Sequence, residues 1–333
     1  MPATPELDAA ASGSSPHSAH TRTHTQPQLT DTPAPPQCPL SGSYGLRLLC
    51  RTRDFGCSGE AFEVWESAGN HFCFTWPAPP PEVMPRYYDM PAYLSHNSEQ
   101  KGLFAAVYRR VRTFMNRRKL RLIASYVPLR KARVLDFGCG TGDFAGFLAK
   151  ARPGWSVAGI EPGESAAQQA RERHGLAVSE SFGALPATER FSLVTAWHAL
   201  EHVPDPAETL REMNLRLVHH GKLVIALPNY TSYDAEFYGS SWAGLDTPRH
   251  LFHYSPKGIT KLAAGCGFRL EEKQGMPFDA FYVSLLSEQY RKSGFAGFFR
   301  AGLIGLLSNI YGASNVNRSS SVIYVFTKTE EAS

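Results

Sequence analysis

The 333-residue chain is short of several things. Six cysteines are too few and too scattered for a disulfide framework. No stretch joins a charged start, an apolar middle and a small-residue cleavage site, so no secretory leader is expected. No run of about 18 uncharged apolar residues occurs. The nearest, 294–311, is interrupted by Arg300 and rich in glycine. These absences lead us to expect a cytoplasmic setting and no spanning helix, with peripheral membrane contact left open. Acid is scarce in one place. Between Asn97 and Arg133 eleven Lys and Arg face only Glu99, so this segment carries +10 and the rest −6 of the net +4.

What is present divides the chain into four parts. Residues 1–36 hold 23 Pro, Ala, Thr or Ser and only Met1, Leu7 and Leu29 as large apolar side chains, which predicts a disordered tail. Residues 37–82 contain short alternating runs such as 61–65 and 71–76, closed by a proline-rich linker, and read as a small β module. In 83–130, Leu103, Val107, Val111, Phe114 and Leu122 recur at helical steps, so a basic amphipathic segment follows, its Arg and Lys on the other faces. From 131 to 329, apolar β-type runs alternate with helical stretches. The fold class expected is α/β, with a Rossmann-like, mostly parallel seven-stranded sheet and helices on both faces.

The strongest motif is Val134-Leu-Asp-Phe-Gly-Cys-Gly-Thr-Gly-Asp-Phe144. It reads as a buried strand, then Asp136, then Gly138, Gly140 and Gly142, then a helix. Glycines allow the sharp turn and leave room for a nucleoside against the backbone. Glu161, at the end of the next strand, suits a ribose diol. A nicotinamide dinucleotide also fits G-x-G-x-x-A, but Asp136 inside the turn would repel a pyrophosphate. It favours a cationic, phosphate-free ligand such as S-adenosyl-L-methionine.

On these residues the stretch from Val134 to Lys328 resembles the class I S-adenosylmethionine-dependent methyltransferases of the type 11/23 group. The match rests on the Asp136 and glycine motif, on Glu161, and on Phe191 to Pro204 with its Leu-Glu-His-Val-Pro ending. The resemblance implies methyl transfer. It places Glu180 or Ser181 near an adenine, where the family often has Asp, and His198 beside the cofactor. The 37–82 module is similar to a zinc-ribbon-like front end. Its ligand positions would be Cys38, Ser41, Ser67 and Asn70, and one cysteine cannot close a four-ligand site, so no zinc is expected there.

For the acceptor, candidate bases cluster after the fourth strand of the catalytic segment. His198, Glu201 and His202 stand at i, i+3 and i+4, one side of a helical turn. The run fits H-x-x-E-H, an inverted zinc-peptidase signature, but that signature belongs on a helix whereas this run leaves a strand. Some relatives hold a divalent metal with Glu-x-x-Glu-His here, so His198, Glu201 and His202 form an optional metal set beside a reading with no ion. The insertion 230–254 carries Tyr233, Trp242, Asp246, Arg249, His250 and His253 and reads as an acceptor-side lid. The catalytic candidates are His202, His250 and His253. The activity expected is O-methylation of a small-molecule or lipid-like acceptor. The rival is an S-adenosylmethionine-binding or RNA-binding module that uses the basic helix on nucleic acid.

Overall fold

The computed structural model describes residues 37–88 and 103–329, with the side chains of 103–109 outside the description. The expected tail, 1–36, lies outside the described residues. The chain opens with three antiparallel strands, β1 (Leu46–Arg53), β2 (Ala61–Ser67) and β3 (Phe72–Trp76). A 24-residue helix, α1 (Leu103–Tyr126), follows.

The second sheet then builds up by alternation: β4 (Ala132–Phe137), α2 (Asp143–Ala151), β5 (Trp155–Ile160), α3 (Glu164–His174), β6 (Ala177–Ser179), β7 (Phe191–Trp197), α4 (Pro206–Arg216) and β8 (Leu217–Pro228). A compact insertion holds α5 (Tyr233–Tyr238) and β9 (Phe252–Tyr254). After it come α6 (Pro256–Gly265), β10 (Phe268–Gly275), α7 (Pro277–Tyr290), α8 (Gly294–Ser314) and β11 (Ser321–Lys328). The helical stretch between β10 and β11 is thus two helices, parted where Lys292 and Gly294 take left-handed φ of 54° and 61°.

Strand order is β10-β11-β8-β7-β4-β5-β6, with β11 antiparallel to both neighbours and the remaining pairs parallel. Helices cover both faces, so the central strands are apolar without alternation. Leu135, Val194 and Ile225 have no exposure. The chain leaves β4 toward β5 on one side and returns to β7 on the other, which opens a crevice beyond their carboxyl ends. Asp136, Glu161 and His198 stand at or just past the carboxyl ends of β4, β5 and β7.

The small sheet does not stand alone. Its third strand pairs with β9 from the insertion, in the register Phe72↔Tyr254, Cys73↔His253 and Phe74↔Phe252. Phe72, Phe74 and Phe252 share one apolar cluster with Leu135 and Ile225 of the large sheet. At the zinc-ribbon-like positions, Asn70 Nδ2 donates to Ser41 Oγ at 3.0 Å and to Ser67 Oγ at 2.9 Å.

Candidate functional site

The cofactor half is made mostly of backbone. Gly138 and Gly140 take φ of 67° and 54°, a region L side chains avoid. A Cβ on Gly138 would lie 2.6 Å from that of Ala199, so the loop after β7 presses on the glycine turn. A Cβ on Gly140 would meet nothing within 4 Å, which leaves its outer side open to a ligand. Gly142 is the N-cap of α2. Glu161 is fixed from both sides, accepting from Gly140 N at 2.8 Å and Gly163 N at 2.9 Å. Glu180 is exposed just past the edge strand β6.

Asp136 is buried and accepts a 2.6 Å bond from Thr195 Oγ1. Burial pushes its carboxyl up to about 6, against the pull of Thr195 and Lys119. Lys119 overturns one sequence expectation. The arginines and lysines of α1 were placed on its outer faces, yet Lys119 points inward, 4.0 Å above the Trp197 ring and 5.1 Å from that of Phe144. Burial lowers its ammonium to about 8, opposed by Asp136 and Asp279. The signal was in the spacing, because Met115, Leu122 and Ile123 stand four before, three after and four after it, all buried. The Trp197 indole N–H beside it is buried with no acceptor among the described residues. A cation and an orphan donor at one end, and a fixed carboxylate at the other, fit the amino-acid and ribose ends of S-adenosylmethionine.

The acceptor half is made of side chains from distant segments. His198 leaves β7 at φ 52°, and residues 200–202 form a single 3-10 turn, not the α-helix an H-x-x-E-H peptidase requires. His198 Nε2 lies 3.3 Å from Asp279 of α7, and its Nδ1 lies 3.5 Å from Glu201. Burial disfavours its charge, but these two carboxylates raise it to about 9.

Glu201 is 1% exposed, and neither carboxylate oxygen has a hydrogen bond among the described residues. Burial works against its charge, yet His198 and His250 hold it down at about 2. A buried carboxylate without a hydrogen bond, its His198 partner standing off at 3.5 Å, has lone pairs left for a further cation. Ligand atoms of Glu201, His202 and His250 lie within 4.8 Å of one another. His250 Nδ1 is 3.0 Å from the Gly244 carbonyl, and His202 Nδ1 is 3.0 Å from that of Arg249. A carbonyl only accepts, so each Nδ1 carries a proton and each Nε2 is turned away from that carbonyl, the orientation of metal-binding imidazoles. Burial, then His250, lowers His202 to about 4, so it stays neutral. The optional metal set thereby changes its third member: His198 pairs with Asp279, and His250 joins from the insertion.

His253 is brought near but otherwise engaged. It is 4% exposed in β9, and its Nε2 lies 3.0 Å from Thr75 Oγ1, which itself donates to His250 O at 2.6 Å. Burial, then His250, lowers it to about 3. The insertion is a folded wall, not a loose loop. Arg249, 1% exposed, donates to Asp246 at 2.6 Å, to Asp54 at 3.0 Å and to the Tyr87 carbonyl at 2.9 Å. Tyr230, Trp242, Phe252 and Tyr254 line a narrow crevice against Glu201 and His250. Asp54, Tyr87 and Asp279 carried no sequence signal, since each acts through a partner remote in the chain.

A methyltransferase-domain family model matches residues 108–273. The chain is 32% identical over 181 residues to a ubiquinone biosynthesis O-methyltransferase of Thiobacillus denitrificans, covering 50% of this chain and 76% of that protein. It is 27% identical over 173 residues to the protein of that name from Coxiella burnetii, covering 48% and 73%. Among solved structures, a putative sarcosine dimethylglycine methyltransferase from Galdieria sulphuraria aligns with a TM-score of 0.48 and 18% identity, over 66% of this chain and 88% of that one.

Proposed function

This chain belongs to the class I S-adenosylmethionine-dependent methyltransferases, and we propose on that premise that it methylates a hydroxyl oxygen of a small or lipid-like acceptor held against Glu201, His202 and His250. The cofactor supplies an electrophilic methyl group on a sulfonium. Gly140 leaves it space, Glu161 meets the ribose hydroxyls, and Lys119 with the Trp197 N–H meets its carboxylate. Asp136 and Thr195 form the floor of that site.

Oxygen as acceptor atom is supported by the relatives' names and by the chemistry of the second half. The observation that carries the reading is the buried Glu201 carboxylate, which accepts no hydrogen bond among the described residues and faces two imidazoles oriented by backbone carbonyls. These three residues would hold a divalent cation, and two nitrogens with one carboxylate suit zinc or manganese better than magnesium. A bound cation would lower the acceptor hydroxyl's pKa. Arg249 and Gly244 contribute the carbonyls that set the ring orientation, and the aromatic crevice excludes water. His253 supports the wall through Thr75.

The test joins binding to turnover. Equilibrium dialysis should find one Zn²⁺ or Mn²⁺ per chain, lost in Glu201→Gln. With an accepted hydroxyl substrate, chelator should remove activity and metal restore it, and Glu201→Gln should lower turnover roughly hundredfold or more with cofactor affinity retained. Full activity in chelator, with no metal bound, overturns the metal reading and leaves His202 or His250 as a base.

A further inference from the structure

The helical hairpin that follows β10 leaves an unusual surface. On α8, Phe295, Phe299, Leu303, Leu306 and Ile310 recur at steps of three or four and are all exposed, Phe295 at 80%. The opposite side, Gly297, Ala301, Ile304 and Ser308, is the one that packs inward. The helix therefore turns five bulky apolar side chains outward and, Ile304 apart, mostly small ones inward, the reverse of a surface helix on a water-facing domain. From Phe295 to Ile310 the stripe runs about 22 Å at 1.5 Å per residue.

The stripe continues onto the neighbouring helices. A Cβ on Gly305 of α8 would lie 2.6 Å from Phe281 of α7, so this half-exposed ring closes the seam between the two. One turn earlier, Phe278 meets Phe114 of α1 edge to face at 5.8 Å, and both rings are exposed. Phe114 is flanked along α1 by Arg110, Arg117 and Arg121, at −4, +3 and +7. All three are exposed, and none has an ion pair among the described residues. Neither α1 nor α8 contains an acid. The acids of α7, Asp279 and Glu288, are engaged with His198 and Arg300. An apolar stripe thus adjoins a cationic one with no free carboxylate between them.

We propose that the α1, α7 and α8 face docks on an anionic lipid surface. The apolar rings enter the boundary between headgroups and acyl chains, and the three arginines meet the headgroup charge. A second copy of the chain fits this face less well, since a twofold axis would confront the arginines with one another. The docking face also shares its helices with the site, since α1 carries Lys119 and α7 carries Asp279. The docking proposal goes beyond the O-methylation reading, and its test needs no methyl acceptor.

The full chain should be sedimented with vesicles of phosphatidylcholine alone and with about one third phosphatidylglycerol. We expect binding to the anionic vesicles and little to the neutral ones. Each cation near such a surface contributes enough that Arg110→Gln/Arg117→Gln/Arg121→Gln should weaken binding about hundredfold. Phe295→Ser/Phe299→Ser should weaken it more than tenfold, with far-ultraviolet spectrum and cofactor affinity unchanged. Three results overturn the proposal: no vesicle binding by the full chain, a dimer in sedimentation that Phe295→Ser/Phe299→Ser dissolves with no vesicle binding, or tight RNA binding lost with the arginines with no vesicle binding.

Discussion

The two halves of the site are built by opposite means. Around Gly140 the ligand-facing groups come largely from consecutive backbone, and the ribose-side carboxylate, Glu161, is itself held by backbone amides. Around Glu201 they are buried ionisable side chains, and their supports reach from Asp54 to Asp279. Backbone offers a ligand shape and amides at little electrostatic cost. Buried charge must be neutralised inside the molecule, so the acceptor half needs the small sheet, the insertion and α7 together. A change of acceptor can then arise from the insertion without touching the glycine turn.

The sharpest way to break this contrast is Arg249→Met. It should strand Asp246 and Asp54 and cost about 3–5 kcal/mol of stability in urea unfolding, whereas a loss near zero would mean that the buried charges do not hold the acceptor half. Next in size is Gly140→Val. The site of its Cβ is open, so melting should shift little beyond the strain of the left-handed backbone, while calorimetry should show cofactor affinity reduced at least about hundredfold, near 2.7 kcal/mol. Unchanged affinity would remove the glycine turn from the site.

The smallest effect concerns pH. Lys119 has its ammonium lowered to about 8, so the charge is present below that value and lost above it. If it meets the cofactor carboxylate, affinity should fall as pH rises through 8, by about tenfold at pH 9 relative to Lys119→Arg, which stays charged. Parallel curves for the two proteins would place Lys119 outside the cofactor site.

The same contrast explains what could be read in advance. The seven strands and the glycine turn follow from local pattern, as do the Ser255 cap and Pro256 at the start of α6, where Ser255 Oγ accepts from Gly258 N. Glu161 was legible because strand ends and glycine turns keep a fixed spacing. His250 was legible as a candidate but not as the neighbour of Glu201, since that meeting depends on β9 pairing with β3, and no local pattern encodes a pairing across the whole chain. Lys119 was misplaced because a lysine inside an apolar stripe was counted with the charges of its helix. Its position among Met115, Leu122 and Ile123 carried more information than its charge.

The pairing of β3 with β9 also has a consequence during synthesis. Thr75 and His253 are separated by 178 positions. At about 5–20 residues per second, the open edge carrying Phe72, Cys73 and Phe74 waits on the order of ten to forty seconds before its partner leaves the ribosome. Throughout that interval a hydrophobic strand edge stands unpaired, the kind of surface that holding chaperones cover and that crowded nascent chains exchange. The last strand of the small sheet is therefore supplied by a segment translated 178 positions after the strand it completes.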